Sequence, residues 1–266
     1  MIESIVIYGI TGLLTGFIAG LLGIGGGIIV VPALLYIFNY TGDVPQAEAI
    51  HYAAGTSLAI MIFTALSSVI AHQRKNGMLW NIYVRIFPGI VLGTITGALL
   101  SYQIPTQLLK IILGLFLLFI AFEMIYKPRI CMRSEFPSPL INRLISFLIG
   151  LKSGLLGIGG GVLIIPYLSY CGVQSRQTAG ITSLCTLTIA LIGTSAFFMT
   201  AIAKNDPTQW TTGYIYWPAV VFIAIPSILL APLGAYFSYR LPIDLLKHLF
   251  TGILIIVATH LLVKGL

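Results

Sequence analysis

The sequence predicts an all-α polytopic membrane protein built from two homologous halves, and three observations predict it. First, the 266 residues are 58% hydrophobic and 8% charged, with a mean hydropathy of +1.02. A single soluble core cannot hide that much apolar surface. Second, runs of about 20 apolar residues, the length of a membrane crossing, recur through the chain. They fall at 5–38, 46–72, 82–101, 105–126, 143–170, 178–203, 214–238 and 243–263. Third, the string Gly20-Leu-Leu-Gly-Ile-Gly-Gly-Gly27, followed by Ile28 to Pro32, returns almost letter for letter as Gly154 to Gly161, followed by Val162 to Pro166.

Each segment has its own justification. The first, 5–38, would be about 50 Å long as one helix at 1.5 Å per residue, against a hydrocarbon core of about 30 Å, so it must bend. Glycine occupies four of the five positions 23–27 and proline follows at 32. Glycine is costly inside a helix and proline lacks a donor, so the bend is expected there. Gly12, Gly16 and Gly20 precede the break at four-residue spacing, as Gly89, Gly93 and Gly97 do in 82–101; both triplets read as close helix-packing stripes. Segment 46–72 carries Gly55-Thr56-Ser57-Leu58, and 178–203 carries the echo Ile181-Thr182-Ser183-Leu184. Segment 105–126 begins after Ser101-Tyr-Gln-Ile-Pro105, and 243–263 after Ser238-Tyr-Arg-Leu-Pro242. No positively charged stretch precedes the first segment, since the first basic residue is Arg74. That segment is therefore expected to stay rather than be cleaved as a signal.

With Leu108-Leu-Lys110 echoed by Leu245-Leu-Lys247, four landmarks recur in the same order, dividing the chain into a first repeat at 1–127, a basic linker at 128–142 and a second repeat at 143–266. If the glycine segments cross the membrane, the repeats are parallel; if they are re-entrant, the repeats are inverted. In either case the 72–85 loop and the linker share the face richest in the 14 Lys and Arg residues. The positive-inside rule places that face, and the linker, in the cytoplasm. The charge balance leans toward inversion. The net charge of +7 is explained by these loops and by inner-leaflet lipid, so no nucleic-acid partner is expected. Cys131, Cys171 and Cys185 lack metal-ligand or paired spacing, so no metal and no cofactor are expected.

Two glycine breaks, each opening a new half-helix, would aim free amides and positive dipole ends at the centre between the repeats. That is an anion site. The expected substrate-binding residues are Gly25, Gly26 and Gly27 from the first break and Gly159, Gly160 and Gly161 from the second. The hydroxyls of Thr56, Ser57, Thr182 and Ser183 are expected to add donors. Leucine at Gly26 or Gly160 is expected to remove the ligand and spare the fold. Lys152 has two readings, drawing an anion inward or snorkelling to headgroups. His51 likewise reads as a pH sensor near the site or as a core histidine. Glu123 is expected to pair with Lys127, and His248 and His260 to bond between helices.

The GLLGIGGG motif with its apolar run and proline, its second copy, and the Gly-Thr-Ser-Leu signal leading to Ala71-His-Gln-Arg-Lys-Asn-Gly77 resemble the TauE/SafE family of sulfite exporters. The resemblance covers nearly the whole chain. It departs from its own symmetry at Ala203 to Trp210, where the second half lacks the HQRKNG pattern. The resemblance implies an inner-membrane permease for sulfite, sulfonates or other small sulfur-containing anions, acting in export. Export also suits the scarcity of deep carboxylates. At 100 mV inside-negative, expelling a divalent anion gains roughly 4.6 kcal/mol, about a thousandfold in gradient.

Other classes fit less well. GIGGG lacks the strand and acidic residue of a dinucleotide fingerprint, no phosphate-loop Lys motif is present, and Ser57 with His51 makes a poor hydrolase, so no enzyme is expected. An anion channel and a non-transporting membrane subunit of a larger complex are the alternatives, and a homo-oligomer is compatible with all three. The partners expected are a small anion and the lipid bilayer.

Overall fold

The computed structural model describes residues 2–22, 26–73, 79–126, 136–173, 175–202, 210–238 and 243–265. Among them the chain forms ten α-helices: α1 (Ile2–Leu22), α2 (Gly27–Thr41), α3 (Ala49–Gln73), α4 (Trp80–Gln103), α5 (Thr106–Tyr126), α6 (Pro139–Leu156), α7 (Gly161–Tyr170), α8 (Ser175–Ile202), α9 (Trp217–Ser238) and α10 (Ile243–Gly265). Five, α3, α4, α5, α6 and α8, contain stretches long and apolar enough to cross a membrane, and further apolar stretches run through α1, α2, α7, α9 and α10. Leu, Ile, Val and Phe are exposed along many of them, as expected where the solvent is lipid rather than water. Several expected features lie outside the described residues: Gly23 and Gly25, the Arg74–Gly77 loop, Lys127, Cys131, most of the linker, and the stretch from Ala203 to Gln209. Cys171 and Cys185 are buried free thiols, the state of small core hydrophobes.

Both glycine strings interrupt helices. α1 stops at Leu22 and α2 starts at Gly27 with Gly26 as its N-cap; α6 stops at Leu156 and α7 starts at Gly161 with Gly160 as its N-cap. The second break is held by a left-handed Gly157 (φ 68°), whose amide and that of Ile158 both donate to the Ser153 carbonyl. A Cβ at Gly157 would collide with the backbone and side chain of Ala54. Glycine is therefore required twice over there, by its dihedral and by its contact with α3.

The glycine triplets do pack helices. A Cβ at Gly12, Gly16 or Gly20 would strike the backbone of Ile223, Ser227 or Ala231, and one at Gly89, Gly93 or Gly97 would strike α6 between Arg143 and Leu155. Both sets step in the same direction along both helices, so α1 runs parallel to α9 and α4 parallel to α6. These are the two most extensive helix pairs. α3 and α8 cross the centre antiparallel, with Leu58 against Gly193 at one end and Ser68 bonded to Ser183 (2.7 Å) at the other. α4 runs with α8, since Tyr83 meets Thr188 (2.7 Å) and Thr94 meets Gly193.

One segment departs from the all-helical expectation. Residue 214 lies in a β-hairpin, Thr211–Thr212 paired antiparallel with Ile215–Tyr216, and helix begins only at Trp217. Positive φ at Trp210 and Gly213 turns the chain. The hairpin then inserts Tyr214 among His51, Tyr52 and Phe197, with ring centroids 5.2–6.3 Å apart. Tertiary contacts outweigh the continuous apolar run that reads as helix.

Candidate functional site

The two breaks meet at the centre of the molecule. A Cβ on Gly27 would lie 2.9 Å from the Gly159 nitrogen and 2.6 Å from Met61 Sδ, and one on Gly159 would lie 3.1 Å from both Met61 and the Thr186 methyl. Only glycine lets the two turns approach this closely. Beside this junction lies a cleft of about 120 Å³. Its volume holds a small ion with part of its water and falls below the roughly 300–1,000 Å³ of sites for drug-sized ligands.

Five helices build the walls. α1 contributes Thr15, Gly16, Ala19 and Gly20; the start of α2 contributes Gly26 and Val30; α3 contributes Met61, Thr64 and Ser68; α8 contributes Thr182, Ser183 and Thr186; α9 contributes Ser227 and Ala231. Among the described residues that line it, none is charged. Polar character comes from seven hydroxyls and from the α2 N-terminus, whose first amides precede any acceptor within the helix.

The protons of those hydroxyls can be followed. Ser183 donates to the Ala179 carbonyl (2.9 Å), so the Ser68–Ser183 bond must be donated by Ser68. Ser227 donates to the Gly12 carbonyl (2.9 Å) and Thr15 to the Thr11 carbonyl (2.7 Å). Thr182 differs: its hydroxyl oxygen is buried with no hydrogen-bond partner among the described residues. Thr186 likewise has no hydrogen-bond partner among the described residues, and a neutral site with these uncommitted hydroxyls beside a helix N-terminus is chemically a donor site, suited to a small anion.

A family model described as sulfite exporter TauE/SafE matches residues 8–261. The chain belongs to the TauE/SafE family. It is 31% identical to a probable membrane transporter protein of Haemophilus influenzae over 258 residues, covering 96% of this chain and 97% of that one. It is 29% identical to a probable membrane transporter protein of Methanocaldococcus jannaschii over 92% of this chain and 90% of that one. A third similar protein, YunE of Bacillus subtilis, is also a probable membrane transporter, 23% identical over 99% of both chains. No solved structure matches. This TauE/SafE chain is thus a multi-pass membrane transporter and not an enzyme.

Within this transporter the expected site residues separate. Gly26, Thr182 and Ser183 line the cleft, and Gly27 and Gly159 form the junction beside it; Gly25 lies outside the described residues. Gly160 and Gly161 are buried, and a Cβ on Gly160 would meet Ile189 and Ile164 at 2.6–2.7 Å. The second break is thus packed where the first faces open space. Thr56 is occupied otherwise, accepting the Tyr216 amide at 3.0 Å and so anchoring the hairpin. Ser57 is fully buried and does not line the cleft. His51 bridges from α3 to the Ser101 carbonyl (2.9 Å) beneath Tyr214, which is the core-histidine arrangement.

Lys152 neither lines the cleft nor snorkels. Its buried ammonium sits 3.6 Å over the Phe116 ring with no hydrogen-bond partner among the described residues. Glu123 is half-buried, and Lys127, its expected partner, lies outside the described residues. His260 faces Tyr36 of α2, ring to ring at 6.0 Å. Sequence reading passed over Thr15, Met61, Ser68, Thr186 and Ser227. The signal for Thr186 was present, since it lies one helical turn after Thr182; Thr64 was passed over as well, as was Ser68, though Ser68 follows Ser57 by about three helical turns.

Proposed function

We propose that this chain is a secondary transporter that moves a small sulfur-containing oxyanion of the sulfite or organosulfonate class out across the inner membrane, using the cleft at Gly26 as its binding site. The observation that carries the reading is the cleft itself. It joins the first glycine break to α8 of the other half, and it offers a helix N-terminus and the free Thr182 hydroxyl with no carboxylate among the described residues that line it. Such a site favours negative charge, and the absence of a lining carboxylate suits flux driven by voltage rather than by a titrating acid.

The halves 1–127 and 143–266 act as inverted repeats in this reading, with the linker cytoplasmic. The antiparallel α3–α8 crossing supports inversion, because equivalent helices related by an in-plane two-fold run oppositely. Both α6 and α8 run with α4, which requires α7 to carry the chain back toward the side where α6 began. Each glycine segment is then re-entrant. The test is efflux of sulfite from proteoliposomes holding the purified protein. Efflux should follow an imposed voltage and persist without a pH gradient. Efflux that needs the pH gradient and ignores voltage would remove the export mechanism, and failure of the wild type to bind sulfite or simple sulfonates would remove the substrate class.

A further inference from the structure

The same repeat alignment points to a second location in the protein. Gly16 and Gly20 align with Gly150 and Gly154, Thr182-Ser183 with Thr56-Ser57, and the Ser-Tyr-x-x-Pro strings that begin in the last turns of α4 and α9 with each other. Carried through the helices, these offsets turn the cleft residues Ala19, Ser68, Ser183 and Ala231 into Ser153, Thr194, Ser57 and Thr94. Every one of those four carries a buried hydroxyl oxygen with no hydrogen-bond partner among the described residues. Ser57, Thr94 and Ser153 are 0% exposed.

Thr94 ties the group together. Its amide nitrogen would be 3.0 Å from a Cβ on Gly150, its backbone closes on Gly154, and its methyl would be 3.5 Å from a Cβ on Gly193. That same Cβ on Gly193 would lie 2.8 Å from Leu58, the neighbour of Ser57. Burying an unpaired hydroxyl costs stability, and the fold does not demand polarity here, because alanine stands at two of the equivalent positions, 19 and 231. Four such groups, on α3, α4, α6 and α8 where these helices pack around Thr94, stand at the counterpart positions of an open cleft with donors to spare.

We propose that Ser57, Thr94, Ser153 and Thr194 form a second binding site for the same small oxyanion, closed in this structure, which opens as the cleft at Gly26 closes. The proposal rests on the reading of that cleft as the anion site. Exchange of conformation between the two halves converts each site into the other, so one solute is offered alternately to opposite faces. The second site uses hydroxyl donors alone, which release an anion more readily than a fixed cation would.

The test compares wild type with Thr94→Val/Ser153→Ala in two assays, equilibrium sulfite binding in detergent and sulfite flux in proteoliposomes. The variant should bind at the open cleft within about twofold of wild type, melt at the same or a higher temperature because unpaired hydroxyls are gone, and lose about tenfold or more of its flux. Full flux in the variant, with wild-type binding intact, overturns this proposal alone. Absence of sulfite binding by the wild type overturns the cleft reading and this proposal with it. Should the double variant fail to fold, Thr194→Val carries the same comparison, and unchanged flux there overturns the proposal.

Discussion

Thr182→Val tests the chemistry of the cleft most directly, because the structure assigns opposite signs to its two effects. The side chain is 4% exposed and its hydroxyl has no partner among the described residues. Valine keeps the shape and removes the oxygen. For stability, a buried unpaired hydroxyl is a cost, so its loss is expected to be neutral or to add up to about 1 kcal/mol. For binding, the same hydroxyl is the donor that an oxyanion would accept. A hydrogen bond to a charged group contributes about 1.5–3 kcal/mol, and 1.4 kcal/mol is tenfold in affinity, so the dissociation constant for sulfite should rise by roughly 10- to 150-fold. Calorimetric titration of purified protein with sulfite, beside a thermal melt in the same detergent, reads both quantities. Unchanged affinity refutes the assignment of Thr182 as a ligand. A clearly lowered melting temperature refutes the claim that its hydroxyl is unpaired.

Three further perturbations follow from particular contacts. Gly26→Leu adds a side chain whose Cβ meets only Ala19 and Val30 at 3.7 Å, so binding should be lost with the fold kept. Gly160→Leu runs into Ile189 and Ile164 and should instead lose about 1–3 kcal/mol of stability by overpacking; equal melting temperatures for the two variants would contradict this division. Thr56→Val strands the buried Tyr216 amide, a loss of about 1–3 kcal/mol, visible as a lower melting temperature and as proteolysis near the hairpin; a variant as stable as wild type would show that the hairpin does not depend on this bond. Lys152→Met removes a desolvated charge that has only the Phe116 ring to stabilise it. A desolvated cation–π contact contributes about 2 kcal/mol or somewhat more, less than the several kcal/mol that burying a charge costs. The melting temperature should rise, and a fall would mean that an anionic partner is present.

Much of the architecture was legible in the residues, because lipid imposes a simple code. Apolar runs of membrane length mark the helical stretches, and the glycine strings sit where α1 gives way to α2 and α6 to α7. The four-residue glycine triplets specify close packing, since a missing side chain is the only way for two backbones to approach so nearly. Repetition is also a property of letters and needs no coordinates. Chain direction, however, left the segments ambiguous between crossing and returning, and only the registers of α4, α6 and α8 bear on that choice.

The division of labour within the site was not legible. The two GIGGG strings are identical, yet Gly26 faces a cleft while Gly160 is packed by Ile189 and Ile164. The Thr-Ser pairs match as well, yet Thr182 keeps a free hydroxyl while Thr56 holds a hairpin amide. Composition and spacing determined that this protein has helices, breaks and a donor-rich centre, because those follow from each residue's own backbone and solvation preferences. Which copy is open, which hydroxyl is spare and where Lys152 rests were decided by neighbours distant in sequence, because accessibility and hydrogen-bond occupancy belong to an assembled set of residues and to none of them singly.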